Sequence, residues 1–223
     1  MTPYIALFLS VIIGYTVAVF LNTKDGSRFS LLLAFSGAFL LSVTVFEYLP
    51  ALYKQTEPHL GLFIMAGILI QLVLDFFSKG AEHGHVHINK LEKRFPLALF
   101  ISLSIHSLLE GVPVTENEHL LYAVVIHKVP IAAILGIFLL SSGFKTWMIM
   151  LFLGGFAVMT PIGAYLSETQ GALKEYLPYL NAIVVGIFLH VSTTILFESN
   201  RNHSFNVIKF AVVLAGIALA YFL

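Results

Sequence analysis

A histidine and a glutamate lie four residues apart in an otherwise apolar stretch of the chain, at His106 and Glu110. In an α-helix this spacing puts both side chains on one face, one turn apart. Ionisable groups are costly in a hydrophobic segment, so they are functional candidates by default. An imidazole nitrogen and a carboxylate so arranged can bind one divalent ion of the zinc, iron or manganese type. The alternative is a buried hydrogen-bonded pair that packs two helices together.

Prolines are expected to interrupt the helices close to these groups. Pro113 has no amide hydrogen, so the carbonyl of Leu109 should lose its usual helical partner. In the next apolar stretch, Pro130 follows His127 and Lys128. Two neighbouring helices are thus expected to bring a histidine and a proline each to mid-membrane depth. Interrupted helices around a midplane site are a recurring arrangement in membrane carriers.

Other polar residues inside apolar stretches are weaker candidates. Glu47 is expected either to line an entrance or to lie at the lipid headgroups. A later stretch carries His190 and Glu198, separated by hydroxyl side chains that often bond back to their own helix. Asp75 is expected at the membrane interface.

Three histidines alternate with other residues in a short polar segment, at His83, His85 and His87. Such tracts bind metal, although loosely when the chain is flexible. The segment is expected to capture or sense a metal ion. The alternative is a polar loop whose histidines have no role.

The composition is that of a membrane protein. Of 223 residues, 58% are hydrophobic and only 11% are charged, and the mean hydropathy is +0.92. These charges are too few to cover a water-facing surface. A net charge of zero makes nucleic acid an unfavourable partner, and the lack of cysteine excludes disulfides and thiolate metal sites.

Apolar runs long enough to cross a bilayer predict an all-α integral membrane protein, an eight-helix bundle in a single domain over residues 1–223. The first run, Pro3 to Leu21, is interpreted as a transmembrane helix because it lacks the basic n-region of a signal peptide. A shared Gly-Ala/Ile-Phe-Leu pattern in spans two and seven suggests an inverted repeat of helices 1–3 and 6–8. The spans are predicted near 3–22, 29–52, 60–79, 95–114, 119–141, 146–166, 176–198 and 206–223.

Lysine and arginine are distributed unevenly between the two sides of this predicted bundle. One side collects nine of them, whereas the other has only Lys54 and Lys174. The positive-inside rule then places both termini outside and the histidine-containing loop, residues 80–94, in the cytoplasm. The expected location is the plasma (inner) membrane.

These features together resemble the ZIP family of divalent metal transporters, the Zrt-, Irt-like proteins. The family has eight spans, both termini outside and a His-rich cytoplasmic loop after the third span. Its fourth span carries a His-Asn-x-x-Glu-Gly type motif, which here reads His106-Ser107-Leu108-Leu109-Glu110-Gly111. Its fifth span carries His or Gln, an acidic residue, any residue and Pro, here His127-Lys128-Val129-Pro130. Its second span often ends in His-Leu-Leu-Pro or Asp-Leu-Leu-Pro, here Glu47-Tyr48-Leu49-Pro50.

The departures from the family motifs define the site that the resemblance implies. Members often bind two adjacent metals bridged by the acidic residue of span five, where this chain has Lys128. Ser107 and Thr160 stand where the family often has Asn and Glu. A lysine ammonium at that place would repel a second cation and balance the charge of Glu110. The resemblance therefore implies one metal site, with Lys128 in place of the second ion, built from His106, Glu110 and His127.

The resemblance implies a carrier rather than an enzyme. It would move zinc, or less readily iron or manganese, towards the cytoplasm, because nitrogen and carboxylate ligands suit these ions better than magnesium or calcium. The metal is then the substrate, and no prosthetic group is expected. The expected partners are the metal ion, the lipid bilayer and, as one option, a second copy in a homodimer. Residues expected along the pathway or balancing its charge are Lys128, Ser107, Glu47, His190 and Glu198.

An intramembrane zinc hydrolase is the main alternative. Such an enzyme needs several histidines, an acid and a bound water, and the chain offers His106, His127, His190 and Glu110. No His-Glu-x-x-His motif occurs, and the adjacent prolines suit an ion path better. A third hypothesis is a metal sensor that does not transport and that binds metal through the loop histidines.

The predicted topology can be tested by cysteine labelling, since the chain has no cysteine of its own. Single cysteines at Ser27, Gly84 and Asn202 should react with an impermeant reagent only from the cytoplasmic side. A cysteine at Gly171 should react only from outside. Labelling of Gly84 and Gly171 from the same face would contradict the eight-span arrangement.

Overall fold

A computed structural model describes residues 2–21, 26–81, 95–198 and 207–223 of the chain. The predicted metal-capturing histidines His83, His85 and His87 lie outside the described residues. Glu198 is the last residue of its helix, and its side chain also lies outside the description.

The regular secondary structure of the described residues is helical throughout, as the sequence predicts. The second predicted span consists of α2, one π-helical turn and the short helix α3, and a 3₁₀ turn (Gly171–Tyr176) leads into α8. The bounds are α1 (Thr2–Leu21), α2 (Gly26–Val43), the π-helical turn (Thr44–Tyr48), α3 (Leu49–Tyr53), α4 (Leu60–Ser78), α5 (Leu97–Glu110), α6 (Glu118–Ser141), α7 (Thr146–Thr169), α8 (Leu177–Glu198) and α9 (Val207–Phe222).

Six helical segments of the described chain are long and apolar enough to cross a membrane, and α5 and α9 are shorter. The fourth span was predicted near 95–114, but α5 has 14 residues and ends at Glu110. The next residues, 111–116, form turns that include Pro113. At 1.5 Å per residue, α5 covers only about 21 Å, less than the hydrocarbon core. The helix therefore ends inside the bundle, where irregular backbone is tolerated because protein surrounds it.

One group of four helices consists of α1, α5, α6 and α7, in which close contacts at glycines join α1 to α6 and α5 to α7, and α7 also packs on α1. An added Cβ at Gly14 of α1 would collide with the Val129 carbonyl of α6. One at Gly163 of α7 would collide with the Leu108 carbonyl of α5. Glycine permits this approach because it has no side chain, as in other small-residue contacts between membrane helices.

A second group consists of α2, α4, α8 and α9. Gly67 of α4 and Gly186 of α8 lie against each other's helix, where each contacts backbone of Ile183 or Ile64. Gly216 of α9 lies against α2 in the same way. Among the described residues, every glycine approach tight enough to exclude a Cβ falls within one of these two groups.

The helix pairing agrees in part with the predicted inverted repeat. An exchange of the first three spans with the last three would relate α1 to α7, α2 to α8, α4 to α9 and α5 to α6. The packing of α1 on α6 then corresponds to that of α7 on α5, and α4 on α8 corresponds to α9 on α2. The match is incomplete. The packing of α4 on α5 should correspond to packing of α9 on α6, but the described parts of α9 and α6 make no contact of similar extent.

The outer faces of α1 and α4 carry large apolar side chains that protein does not cover. Phe8 and Ile13 of α1 and Leu62 and Phe76 of α4 are exposed. Exposed apolar faces of this extent are compatible with lipid as the surrounding solvent.

The glycine contacts predict a position-specific cost of adding one methyl group. Gly186→Ala should lower the stability of the purified protein by about 1–3 kcal/mol, because the new Cβ would meet the rigid backbone of α4 at Ile64. Gly154→Ala is the matched control, since no heavy atom lies within 4 Å of its added Cβ. The measurement is the denaturation midpoint in detergent, and equal midpoints for the two variants would contradict the packing.

Candidate metal centre

Glu110, the last residue of α5, is buried inside the bundle with 1% of its surface exposed. Its Oε1 oxygen forms an ion pair with the ammonium of Lys128 on α6. The same oxygen accepts a hydrogen bond from the Thr160 hydroxyl on α7, at 2.9 Å. Three helices of the first group therefore meet at one carboxylate oxygen, and Oε2 remains on the side of His106.

His106 lies one turn before Glu110 on α5, and the predicted shared face is present. Its Nε2 is 3.4 Å from Glu110 Oε2. Its Nδ1 is 3.0 Å from the side-chain oxygen of Gln71 on α4. The imidazole thus bridges the carboxylate of its own helix and an amide of a helix from the second group.

Lys128 is buried along its whole length, with 1% of its surface exposed. Besides Glu110, its ammonium donates to the Ser107 hydroxyl at 3.1 Å and lies 4.4 Å from the centre of the Phe156 ring. An aromatic face attracts a cation in this position. A carboxylate, a hydroxyl and an aromatic ring therefore compensate the buried ammonium.

The neighbouring His127 of α6 is also buried, with 1% of its surface exposed. It lines the same small cavity as His106, Glu110 and Lys128. The three predicted ligands thus border one cavity, from two helices. The described residues contain no set of three or more His, Asp or Glu side chains already arranged as a metal shell.

The Leu109 carbonyl lacks the helical partner that Pro113 cannot supply, but it is not left without a donor, because it accepts a hydrogen bond from the Val112 amide at 3.1 Å. The chain tightens after Glu110, so an amide one residue earlier replaces the one that proline lacks.

Glu47 forms a second polar cluster, with a residue that sequence analysis did not consider. It lies on the π-helical turn before Pro50, which cannot donate the usual helical hydrogen bond. Its carboxylate is 2.6 Å from Nδ1 of His119 on α6. His119 is held there by the N-terminal cap of α6, since the Asn117 side chain accepts from its amide at 2.9 Å. Both members are partly exposed.

A third polar cluster joins α4 and α8. The Gln71 amide donates to Asp75 Oδ1 at 2.9 Å, and Asp75 Oδ2 is 3.3 Å from Nδ1 of His190. The hydroxyl of Thr194 bonds back to the His190 carbonyl, as predicted for this stripe. Asp75, expected at the membrane interface, thus has polar partners on two helices, and Gln71 is not among the residues predicted from the sequence. The four-residue spacing of these two, identical to that of His106 and Glu110, was the available signal.

Comparison with known proteins gives a matching family and two similar proteins. The model of the ZIP Zinc transporter family matches residues 82–223, more than half of the chain. Protein zntD of Dictyostelium discoideum is 32% identical over 166 residues, which cover 63% of this chain and 24% of that protein. Zinc transporter ZIP1 of Danio rerio is 28% identical over 168 residues, 63% of this chain and 55% of that protein. The alignments thus cover about a quarter and just over half of these relatives.

The buried ion pair predicts strongly coupled effects on stability. Lys128→Met leaves the Glu110 carboxylate without its ammonium and should cost about 3–5 kcal/mol. Adding Glu110→Gln should restore most of that loss, because no uncompensated charge then remains. Lys145→Met, at an exposed lysine, is the control and should stay within about 0.5 kcal/mol of the parent. Denaturant unfolding in detergent compares the parent, Lys128→Met, Glu110→Gln, the double variant and the control. Additive costs for Lys128→Met and Glu110→Gln in the double variant would contradict the pairing.

Proposed function

The chain belongs to the ZIP zinc transporter family, and from this we propose that it carries zinc across the membrane through the cavity between α5 and α6. The family match and the six long apolar helices make it a multi-pass integral membrane protein. The alignments with the two relatives each cover 63% of this chain, and one of these proteins is named as a zinc transporter. Zinc is therefore preferred to iron or manganese as the substrate.

The observation that carries the proposal is the spacing of His106 Nε2 and Glu110 Oε2, 3.4 Å apart. Zinc binds imidazole nitrogen at about 2.0–2.1 Å and carboxylate oxygen at about 2.0–2.2 Å. With those bond lengths, a 3.4 Å separation corresponds to an angle of about 110° at the metal. This is the tetrahedral angle that zinc prefers. A zinc ion thus fits between the two side chains without a change in their separation.

Lys128 limits the proposed site to one metal. Its ammonium and the Thr160 hydroxyl both use Oε1 of Glu110, which leaves Oε2 for the ion. A second cation beside Oε1 would have to share its place with a fixed positive charge. The ammonium thus takes the part that a second ion plays in relatives with an acidic residue at this position.

His127 is the proposed third ligand, because it borders the same cavity from α6. The ligands are not preassembled, so zinc binding draws His127 towards the His106–Glu110 pair, and water completes the shell. The end of α5 at Glu110 adds to the attraction. The C-terminus of a helix carries partial negative charge and favours a cation.

The proposed route runs along α6 and continues between α4 and α8. Glu47 and His119 lie at its outer end, since His119 precedes His127 by eight residues, or about 12 Å of helix. Gln71, Asp75 and His190 continue the row of polar side chains on the far side of His106. Glu198 and the loop histidines His83, His85 and His87 are proposed to receive the metal on the cytoplasmic side.

Charge at the outer end supports entry from that side. The segments that surround Glu47 and His119 hold more acidic than basic residues, and carboxylates raise the local concentration of a divalent cation. Transport of zinc towards the cytoplasm is part of the proposal. A homodimer is also part of it. The charged residues at this end are Glu47, Lys54, Glu57, Glu116, Glu118, Glu168, Lys174 and Glu175.

The intramembrane hydrolase is the less favoured function. It would require His190 to join His106 and His127 at one metal. In the structure, His190 contacts Asp75, and it does not line the cavity that the other two share.

Removing any of the three ligands should stop zinc movement. His106→Ala, Glu110→Ala and His127→Ala are each expected to abolish uptake into proteoliposomes, because three side chains already form a sparse shell. His59→Asn is the matched control, at an exposed histidine in a left-handed conformation that Asn tolerates. The second measurement is zinc per purified protein, expected at one in the parent and in the control. Uptake at the parental rate in any of the three alanine variants would remove that residue from the site.

A further inference from the structure

We propose that Gln71 is a positioning residue that holds His106 in the tautomer whose Nε2 faces the metal. The proposal rests on the function given above and adds to it a group that does not bind the ion while His106 and Glu110 hold it. Gln71 has 0% of its surface exposed, and its side chain lies between α4 and α5. A buried amide is costly unless its oxygen and nitrogen both find partners.

The contacts of Gln71 fix which way its amide points. The amide nitrogen donates to Asp75 Oδ1 at 2.9 Å. A carboxylate accepts hydrogen bonds and cannot donate them, so the opposite amide orientation would set two oxygens against each other. The amide oxygen must therefore face Nδ1 of His106, at 3.0 Å.

An amide oxygen can only accept, so the hydrogen on this contact belongs to His106 Nδ1. In a neutral imidazole the lone pair then lies on Nε2, which faces Glu110 Oε2 at 3.4 Å. The other tautomer would place a hydrogen on Nε2 and donate it to the carboxylate. That contact is favourable in itself, but it would occupy the space that zinc needs.

Gln71 thus favours the tautomer that can bind metal over the one that would close the site with a hydrogen bond. The arrangement is anchored further, because Asp75 also contacts Nδ1 of His190 at 3.3 Å. Metal-binding histidines commonly donate their second ring nitrogen to a fixed acceptor, and loss of that acceptor costs about 10–100-fold in metal affinity or activity. The chain of contacts from His106 to His190 supplies such an acceptor.

The first test removes the acceptor while keeping the volume. Gln71→Met should raise the KM for zinc uptake by about 10–100-fold, with a smaller change in the maximal rate. Ser102→Ala is the matched control, since the Ser102 hydroxyl donates to the Leu74 carbonyl and joins the same two helices without touching His106. Its KM should stay within about twofold of the parent. An unchanged KM in Gln71→Met, or an equal rise in both variants, would overturn the positioning role.

The second test reads the tautomer without any transport. Metal-free protein labelled with ¹⁵N-histidine is compared by solid-state NMR at alkaline pH, and the His106 signals are assigned by their loss in His106→Gln. In the parent, Nδ1 of His106 should be protonated and Nε2 should be unprotonated. In Gln71→Met, a second population of His106 should appear with the hydrogen on Nε2. A bare Nδ1 in the parent, or identical spectra in the two proteins, would refute the proposal.

A compensating pair separates this contact from a general packing effect. Gln71→Glu combined with Asp75→Asn exchanges the carboxylate and the amide. The carboxylate at position 71 still accepts from Nδ1 of His106, and the amide at position 75 now donates to that carboxylate. The double variant should return the NMR spectrum of His106 to that of the parent, whereas Gln71→Met does not. Failure to restore it would contradict the proposed contact. If the parent neither binds nor moves zinc, the proposed function fails, and the NMR comparison still decides the role of Gln71.

Discussion

A carboxylate buried in the middle of a membrane helix bundle must be compensated by other buried groups, and the structure around Glu110 follows from that requirement. The ammonium of Lys128, the Thr160 hydroxyl and the imidazole of His106 supply the compensation. These groups reach Glu110 only because their helices approach closely. At Gly163, for example, α7 lies so near to α5 that a Cβ would collide with the backbone. The glycines thus contribute to the electrostatics of the site by setting the distance between helices.

The two oxygens of the Glu110 carboxylate have different partners. Under the proposed function, one residue can therefore hold the helices together and also bind an ion. Oε1 has two fixed partners, the ammonium and the hydroxyl, which hold Glu110 in place and compensate its carboxylate whether or not cargo is present. Oε2 faces the imidazole of His106, whose tautomer Gln71 sets under the proposal above. A carboxylate bound on both oxygens would hold the bundle but leave nothing for an ion. One bound on neither would be too costly to bury without metal.

The sequence was sufficient for the helical class and for the pairing of His106 with Glu110, because both depend on local spacing and hydropathy. It was less reliable where tertiary contacts decide. The fourth span was extended four residues too far, since apolar residues such as Val112 and Val114 continue beyond the point where the helix ends. Gln71 is not predicted as a functional residue, because a single uncharged amide in an apolar helix does not by itself indicate a site. Its importance depends on α4 packing against α5, which no local pattern reveals.

Among the described residues, the tight glycine contacts lie within the two helix groups, and several polar contacts cross from one group to the other. Within each group, backbones touch at glycines, and such contacts have little freedom to change because neither helix has a side chain to rearrange. Between the groups, polar side chains make specific contacts: Gln71 with His106, Glu47 with His119, and Asn181 with Glu116 at 3.0 Å. Under the proposed function, an ion at Glu110 withdraws electron density from the His106 ring and strengthens its donation to Gln71. Cargo in one group therefore acts directly on a hydrogen bond to the other, through the residue that selects the binding tautomer.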